Sequence, residues 1–496
     1  MKTTNIKQKT SVWICRVGMW TLISLLTSLP FITKAQEMTG IVNSNYAGLQ
    51  SLKTNPAMAA DTRLRWDVNV FALDVFALNN YVYLPRNSIN LIKTIDGTSD
   101  NNIVQSDFYT ERNKWIYANT SFQLPGLLWT YKGEHTFAIH CQVRTMTNAE
   151  NVPFHIAKFA YEGISFKPLH DSVWSSGPFD ISSMAWLETG LSYSGFIYSK
   201  ARNYLAFGAT LNILRGAAAL QANSNSFTYM VPNSDTLVVY NTDTRIAHAV
   251  PMADGESILS GSGFSADLGL MFEKKRRYTW SSVYRRNLIT TYDYKVGISI
   301  IDLGKINFNK NAATLELVDQ ATVWPDVNKQ KFSSINGVDS VINERFYGSK
   351  TGSPIGNAFD MLTPVTLAMQ GDYNLNDNGY VNLSIQLPLT KAGQSVARKK
   401  AITLTPRLES KWTEIQFPVS LYNFRKLQAG FAFRFHSFFF GCDNLLPLLG
   451  LDKIYGSSFY FGIKISAFKE RYALPDQSKY LPSVKGIFKP FQKNRL

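Results

Sequence analysis

Segments of about ten residues in which apolar side chains alternate with small or polar ones recur along most of this chain. No other feature restricts the fold as much. Across residues 136–144, Phe137, Ile139, Cys141 and Val143 fall on one face. Thr136, Ala138, His140, Gln142 and Arg144 fall on the other. Side chains alternate across an extended strand, so each such segment is a strand with one apolar and one polar surface. Residues 205–213, 264–273, 381–387, 429–439 and 459–466 read the same way, with Arg434 and His436 on the polar side of the fifth segment.

A soluble β-sandwich also alternates, but three features favour a membrane barrel. Segments 184–198 and 204–215 are longer than the five or six residues usual in soluble strands and suit a tilted span. Aromatic residues gather near strand ends (Trp129, Tyr131, Trp186, Phe196, Tyr198, Tyr278 and Trp280), where a barrel carries its interfacial girdles. The connections are unequal. Short polar turns are read at 132–135, 199–203, 273–277, 376–379 and 423–426, with Asn378-Gly379 a strong hairpin signal. Segments without steady period at 147–183, 216–261, 302–361 and near 439–457 read as long loops. Residues 401–422 count as one bulged strand, because the apolar phase switches between Leu408 and Ile415, and a further strand is expected near 313–318. The predicted fold is all-β: a transmembrane antiparallel β-barrel of roughly 14 strands over residues 65–469.

The first residues predict export. Lys2, Lys7, Lys9 and Arg16 precede an apolar stretch at 17–32, and Ala35 closes it before Gln36, the three-part pattern of a cleaved signal peptide over 1–35. The alternative, an uncleaved anchor, has a short apolar stretch for a span. Beyond Gln36 no run of 18 apolar residues occurs, so the expected location is the cell outer membrane. The formal charge of +15 falls to +10 when the five basic residues of the signal leave. Half of that remainder lies in residues 469–496, of which 470–496 form a basic tail whose expected partners are outer-membrane lipid and lipopolysaccharide rather than nucleic acid. Cys141 and Cys442 are too few for a disulfide framework, and one bridge between them is the most they allow.

Ahead of the barrel, residues 36–64 do not alternate. Asn55 is placed to cap a helical turn with Pro56 at its first position. The segment can fold into the lumen or hang as a loose arm. The Asn55-Pro56-Ala57 signature after Ala47-Gly48, with residues 263–269, Asp302-Leu303-Gly304 and residues 441–445 in that order, resembles the long-chain fatty-acid transporter (FadL-like) superfamily. Within it, the chain is similar to Bacteroidota barrels related to the secretion protein PorV. The resemblance covers residues 40–468 and implies that the N-terminal segment, including Asn55, Pro56 and Ala57, is a plug. It implies binding or passage of small hydrophobic ligands, with a non-transporting surface scaffold for secreted proteins as the alternative. The tail beyond the last strand departs from that pattern.

No enzyme is expected. The chain lacks a Gly-x-Ser-x-Gly elbow, a His-Glu-x-x-His pair and a phosphate loop, and its six histidines show no metal-ligand spacing. No cofactor is expected either. The candidate lumen or ligand residues are Asn55, Pro56, Ala57, His140, Arg144, Asp267, Arg434 and His436, with Glu188, Glu273, Lys295, Asp372 and Lys464 as further inward charges that would pair across a small barrel.

Overall fold

A computed structural model of the chain describes residues 38–86, 105–106, 112–250, 258–276, 292–327, 335–349, 356–376, 378–391, 393, 395–424, 426–449 and 453–469. The signal segment, the basic tail, Tyr278 and Trp280 lie outside the described residues.

Fourteen antiparallel strands close into one barrel. They are β1 Leu64–Asn79, β2 Lys114–Gln123 continued by Gly126–Tyr131, β3 His135–Val152, β4 Phe179–Lys200, β5 Asn203–Asn233, β6 Gly261–Lys275 and β7 Tyr292–Phe308. The circuit continues with β8 Phe359–Leu362 and Thr366–Asn374, β9 Gly379–Pro388, β10 Ala401–Glu409, β11 Thr413–Gln416 and Val419–Tyr422, β12 Lys426–Ala429 and Phe431–Phe435, β13 Phe438–Cys442 and β14 Gly456–Phe468. β14 closes on β1, with Asp74 opposite Tyr460 and Leu78 opposite Gly456. Among the described residues each of the fourteen wall strands is paired on both sides. The interruptions in β2, β8 and β11 contain Pro125, Pro364 and Pro418, which have no N–H to give the ladder.

Alternation sorts the two faces. In β3, His140 and Arg144 are buried inside while Phe137 and Ile139 are exposed outside. Exterior residues such as Leu211, Phe264 and Leu427 are 69%, 73% and 67% exposed, a band of apolar surface no soluble monomer of this size tolerates. Trp129, Tyr131 and Tyr198 stand exposed near the short-turn end. Trp186 does not join them. It is buried in the lumen, on the inward parity it shares with Met184 and Glu188.

The connections differ from the sequence reading in several places. Residues 401–422 are a hairpin, not a bulged strand. The phase switch is the chain reversal at 410–412, pinned by the Ser410 hydroxyl, which accepts the Thr413 N–H at 3.0 Å. Residues 429–439 likewise reverse at His436-Ser437, so Phe439 faces inward between the exposed Phe438 and Phe440. The short connection at 423–425 lies at the long-loop end, and β6 runs on through Lys275 where a turn at 273–277 was expected. Much of 216–261 is strand: β5 continues past the wall and Thr236–Ala249 returns along it. Ala312–Val318, the expected extra strand, pairs with that hairpin and not with the barrel. Polar, Asn- and Ser-rich composition reads as loop, but the ladder bonds of a protruding hairpin satisfy the backbone regardless of side chain. Within 147–183, β3 extends to Val152 and the helix Phe154–Glu162 follows.

The N-terminal segment lies inside the lumen as a turn of helix, Thr39–Val42, and two short 3-10 helices, Gly48–Lys53 and Pro56–Asp61, and joins β1 at the short-turn end. All but Lys53 of residues 38–63 are buried.

Candidate functional site in the lumen

The plug is fixed first by close backbone packing. Asn55 caps the helix Pro56–Asp61 as its sequence suggests, its Oδ1 accepting the Ala57 N–H at 2.9 Å. The turn so formed presses against Gly208 of β5, Gly269 of β6 and Gly297 of β7. A Cβ on Gly208 would stand 2.3 Å from the Ala57 nitrogen, and one on Gly269 would stand 2.0 Å from Asn55 Oδ1. Only glycine permits that approach. Asn55, Pro56 and Ala57 therefore sit in a niche built by three strands.

Ion pairs fix the rest. Lys275 and Lys295 both donate to Asp61, at 2.6 and 3.0 Å. Arg63 meets Glu409 at 2.8 Å, and Glu409 also accepts from Arg407 at 2.9 Å. Asn45 donates to Glu409 and accepts from Lys295. Arg434 lies in this lower layer, pairing with Glu414 at 2.9 Å under the Tyr46 ring. Lys464 donates to the Tyr46 and Ala47 carbonyls. Buried charges of this kind persist only when every partner is in place.

Above the plug, His140, Arg144 and Asp267 come together around a chamber of about 40 Å³, room for a few waters at most. Arg144 grips Asp302 with both nitrogens, at 2.7 and 3.0 Å, and reaches Glu188 at 3.1 Å. Its guanidinium lies 4.8 Å from the Trp186 ring centre. Asp267 accepts the Asp302 N–H at 2.6 Å, and Asp302 sits in the left-handed region at φ 56°. The segments 263–269 and 302–304 thus meet at one bulge. His436 is elsewhere. It occupies the turn before β13, stacks on Trp412 at 4.8 Å and takes no part in the lumen. Strand parity misplaced it, because the strand ends one residue earlier.

The sequence reading missed the lid of this chamber. The connection between β9 and β10, residues 389–400, folds inward. Arg398 pairs with Asp302 at 2.5 Å, the Asn148 side chain brackets Ala397 with hydrogen bonds to its N–H and carbonyl, and Val396 is fully buried. Irregular connections carry no period, so only the cationic run Arg398-Lys399-Lys400 hinted at it. Around this lid lies a ring of apolar side chains on the inner wall, among them Phe76, Tyr117, Met184, Leu214, Phe308 and Tyr422. The ring joins β1 to β11 and closes on Val396 and Ala401, forming an apolar septum above the ion pairs of the lower lumen.

Beyond the septum a vestibule of about 690 Å³ opens at the long-loop end, with Tyr422 in both. Lys399 crosses its wall to pair with Glu150, its ammonium 5.1 Å from the Trp115 ring centre. Cys141 and Cys442 are free thiols. Among the described residues no group of three His, Cys, Asp or Glu could hold a metal ion, and no helix is long and apolar enough to cross a membrane.

A profile of a family of unknown function, DUF5723, matches residues 56–443. No curated protein matches the chain. Among solved structures, it is similar to the Pseudomonas putida toluene transporter TodX at 9% identity and a TM-score of 0.32, covering 87% of this chain and 96% of that one. The Ralstonia pickettii toluene transporter TbuX aligns at 9% identity and 0.35, covering 85% and 94%. A Pseudomonas aeruginosa FadL homologue aligns at 10% and 0.33, covering 83% and 90%. Likenesses at this level carry no argument, and the barrel rests on its own strand register.

Proposed function

From the premise that this chain belongs to the DUF5723 family, whose description assigns no activity, we propose that it is an outer-membrane barrel that takes small hydrophobic ligands from its vestibule onto the apolar septum. The observation that carries this reading is the septum itself. A general porin needs a wet, polar bore. Here Met184, Leu214 and Phe308 ring the lumen above a layer of ion pairs, and the route beneath is filled by the plug. An apolar solute gains by entering such a ring, whereas an ion would lose its hydration there.

The membrane setting draws on the exposed apolar exterior and on closure of the sheet. Lipid and lipopolysaccharide would surround that belt, and the short-turn end would face the periplasm. The signal sequence and the FadL-like resemblance agree with this placement. The reading includes no catalytic step.

The test is displacement of a naphthyl fluorophore from the purified barrel by toluene and by hexadecanoate, with conductance measured in planar bilayers. Displacement with low conductance is expected, and Leu214→Trp, which fills the septum, should weaken it several-fold. Absence of displacement by either compound overturns the proposal. A second reading, a surface scaffold for secreted partners, draws on the hairpin of β5 and Thr236–Ala249. Its tip has its own apolar cluster of Phe159, Leu169, Tyr229 and Val231. Secreted proteins retained on the barrel, without hydrophobic ligand binding, would favour it.

A further inference from the structure

The vestibule differs in chemistry from the septum beneath it. Its wall carries Lys391, Arg398, Lys399, Lys400 and Lys426 against one acid, Glu150. Arg398 is committed to Asp302 and Lys399 to Glu150. Lys391 and Lys400, at the two ends of the inward lid, are exposed and keep the mouth positive, and Lys426 adds a third charge beside the Tyr455 ring. Asn113, Asn151 and Asn423 line the same cavity, together with the aromatic residues Trp115 and Phe424. At about 690 Å³ the space suits an organic solute of a few rings.

Three recognition elements coincide here: separated cations, amides that both donate and accept, and flat aromatic faces. A hydrocarbon uses only the last of these. We propose that the vestibule is a binding site for an acidic saccharide, a sugar carrying two or more negative charges as carboxylates or phosphates. Its hydroxyls meet the amide rim, its ring stacks on the Trp115–Phe424 side, and its charges meet Lys391, Lys400 and Lys426. The site does not require the septum to bind anything. Exposed lysines make the interaction strongly sensitive to salt.

The experiment titrates the full-length protein in detergent with digalacturonate, fructose bisphosphate, maltose and inorganic phosphate, read by calorimetry and by tryptophan fluorescence. At least one acidic sugar should bind, and the tighter of the two identifies the acid. Maltose and inorganic phosphate should bind at least tenfold more weakly. The K391Q/K400Q variant, with folding checked by heat-modified migration on a gel, should lose tenfold or more in affinity. Equal binding of maltose or of inorganic phosphate, failure of both acidic sugars, or an unchanged K391Q/K400Q variant overturns the proposal. Fluorophore displacement from the septum is measured on the same sample, so its failure alone counts against the hydrophobic-ligand reading and leaves this one standing.

Discussion

The lower and upper halves of the lumen are held by different balances of charge and apolar contact. Below, the plug packs on the wall through small apolar clusters and is pinned there by charges with fixed partners: Asp61 between two lysines, Arg63 on Glu409, and Ser44 donating to Glu414, which also pairs with Arg434. Above, the septum meets the inward lid chiefly through apolar surface, with Val396 seated in the ring and two ion pairs, Arg398 to Asp302 and Lys399 to Glu150, tying the lid to the wall. Charged contacts are unforgiving, since removing one partner strands the other in a poorly solvated place. Apolar contacts exchange readily for others of similar volume. The lower half is therefore built to hold one arrangement, and the upper half can yield to a guest.

The comparison breaks most visibly through Asp61→Asn. The change is nearly isosteric, yet it leaves Lys275 and Lys295 with Glu273 as their remaining close acid, and it should cost about 3–5 kcal/mol. A urea midpoint followed by tryptophan fluorescence measures it, and a cost under about 1 kcal/mol would erase the distinction between the halves. The matching change above is Leu214→Met, also volume-conserving and fully buried. It should cost less than about 1.5 kcal/mol in the same assay. A larger loss there would show a septum too tightly packed to admit a ligand.

Of similar size is Asn55→Ala. It removes the cap on the helix Pro56–Asp61 and the bond to the Leu270 carbonyl, while the glycine niche keeps the turn in place. The expected cost is about 1 kcal/mol, with proteolysis of the 45–63 segment rising slightly.

What could be read in the sequence divides along the same line. Period two assigns faces one residue at a time, so the inward placing of His140, Arg144 and Asp267 needed no knowledge of the partner strand. The cap at Asn55 was local and equally plain. What failed depended on where strands end or on distant residues. His436 kept the parity of β12 but lies in the turn after it. Trp186 stands near one end of the segment read as 184–198 and so reads as a girdle residue, but the strand begins at Phe179 and its parity points inward. The niche for Pro56 and Ala57 is written in Gly208 and Gly269, far along the chain, and no local pattern distinguishes these from ordinary strand glycines. The inward lid left no periodic trace at all.

The smallest expected effect lies outside the barrel wall and contrasts with both halves. On the helix Phe154–Glu162, His155 stacks on Trp174 and hydrogen-bonds the Tyr229 hydroxyl at 2.8 Å. Burial pushes its pKa down from 6.5 to about 4, because the apolar cluster disfavours the charged ring. The fold therefore keeps the neutral form. Its stabilising contribution is complete above the unfolded value near 6.5 and is lost as the pH falls toward about 4. Amide exchange in residues 154–176, corrected for intrinsic rate, should quicken between pH 6.5 and 4.5 while exchange in the plug does not. In His155→Phe, which keeps a ring but has no proton to gain, that difference should vanish. If the variant quickens as the parent does, another group drives the change. The exterior hairpin would then be no more responsive to acid than the lumen it overhangs.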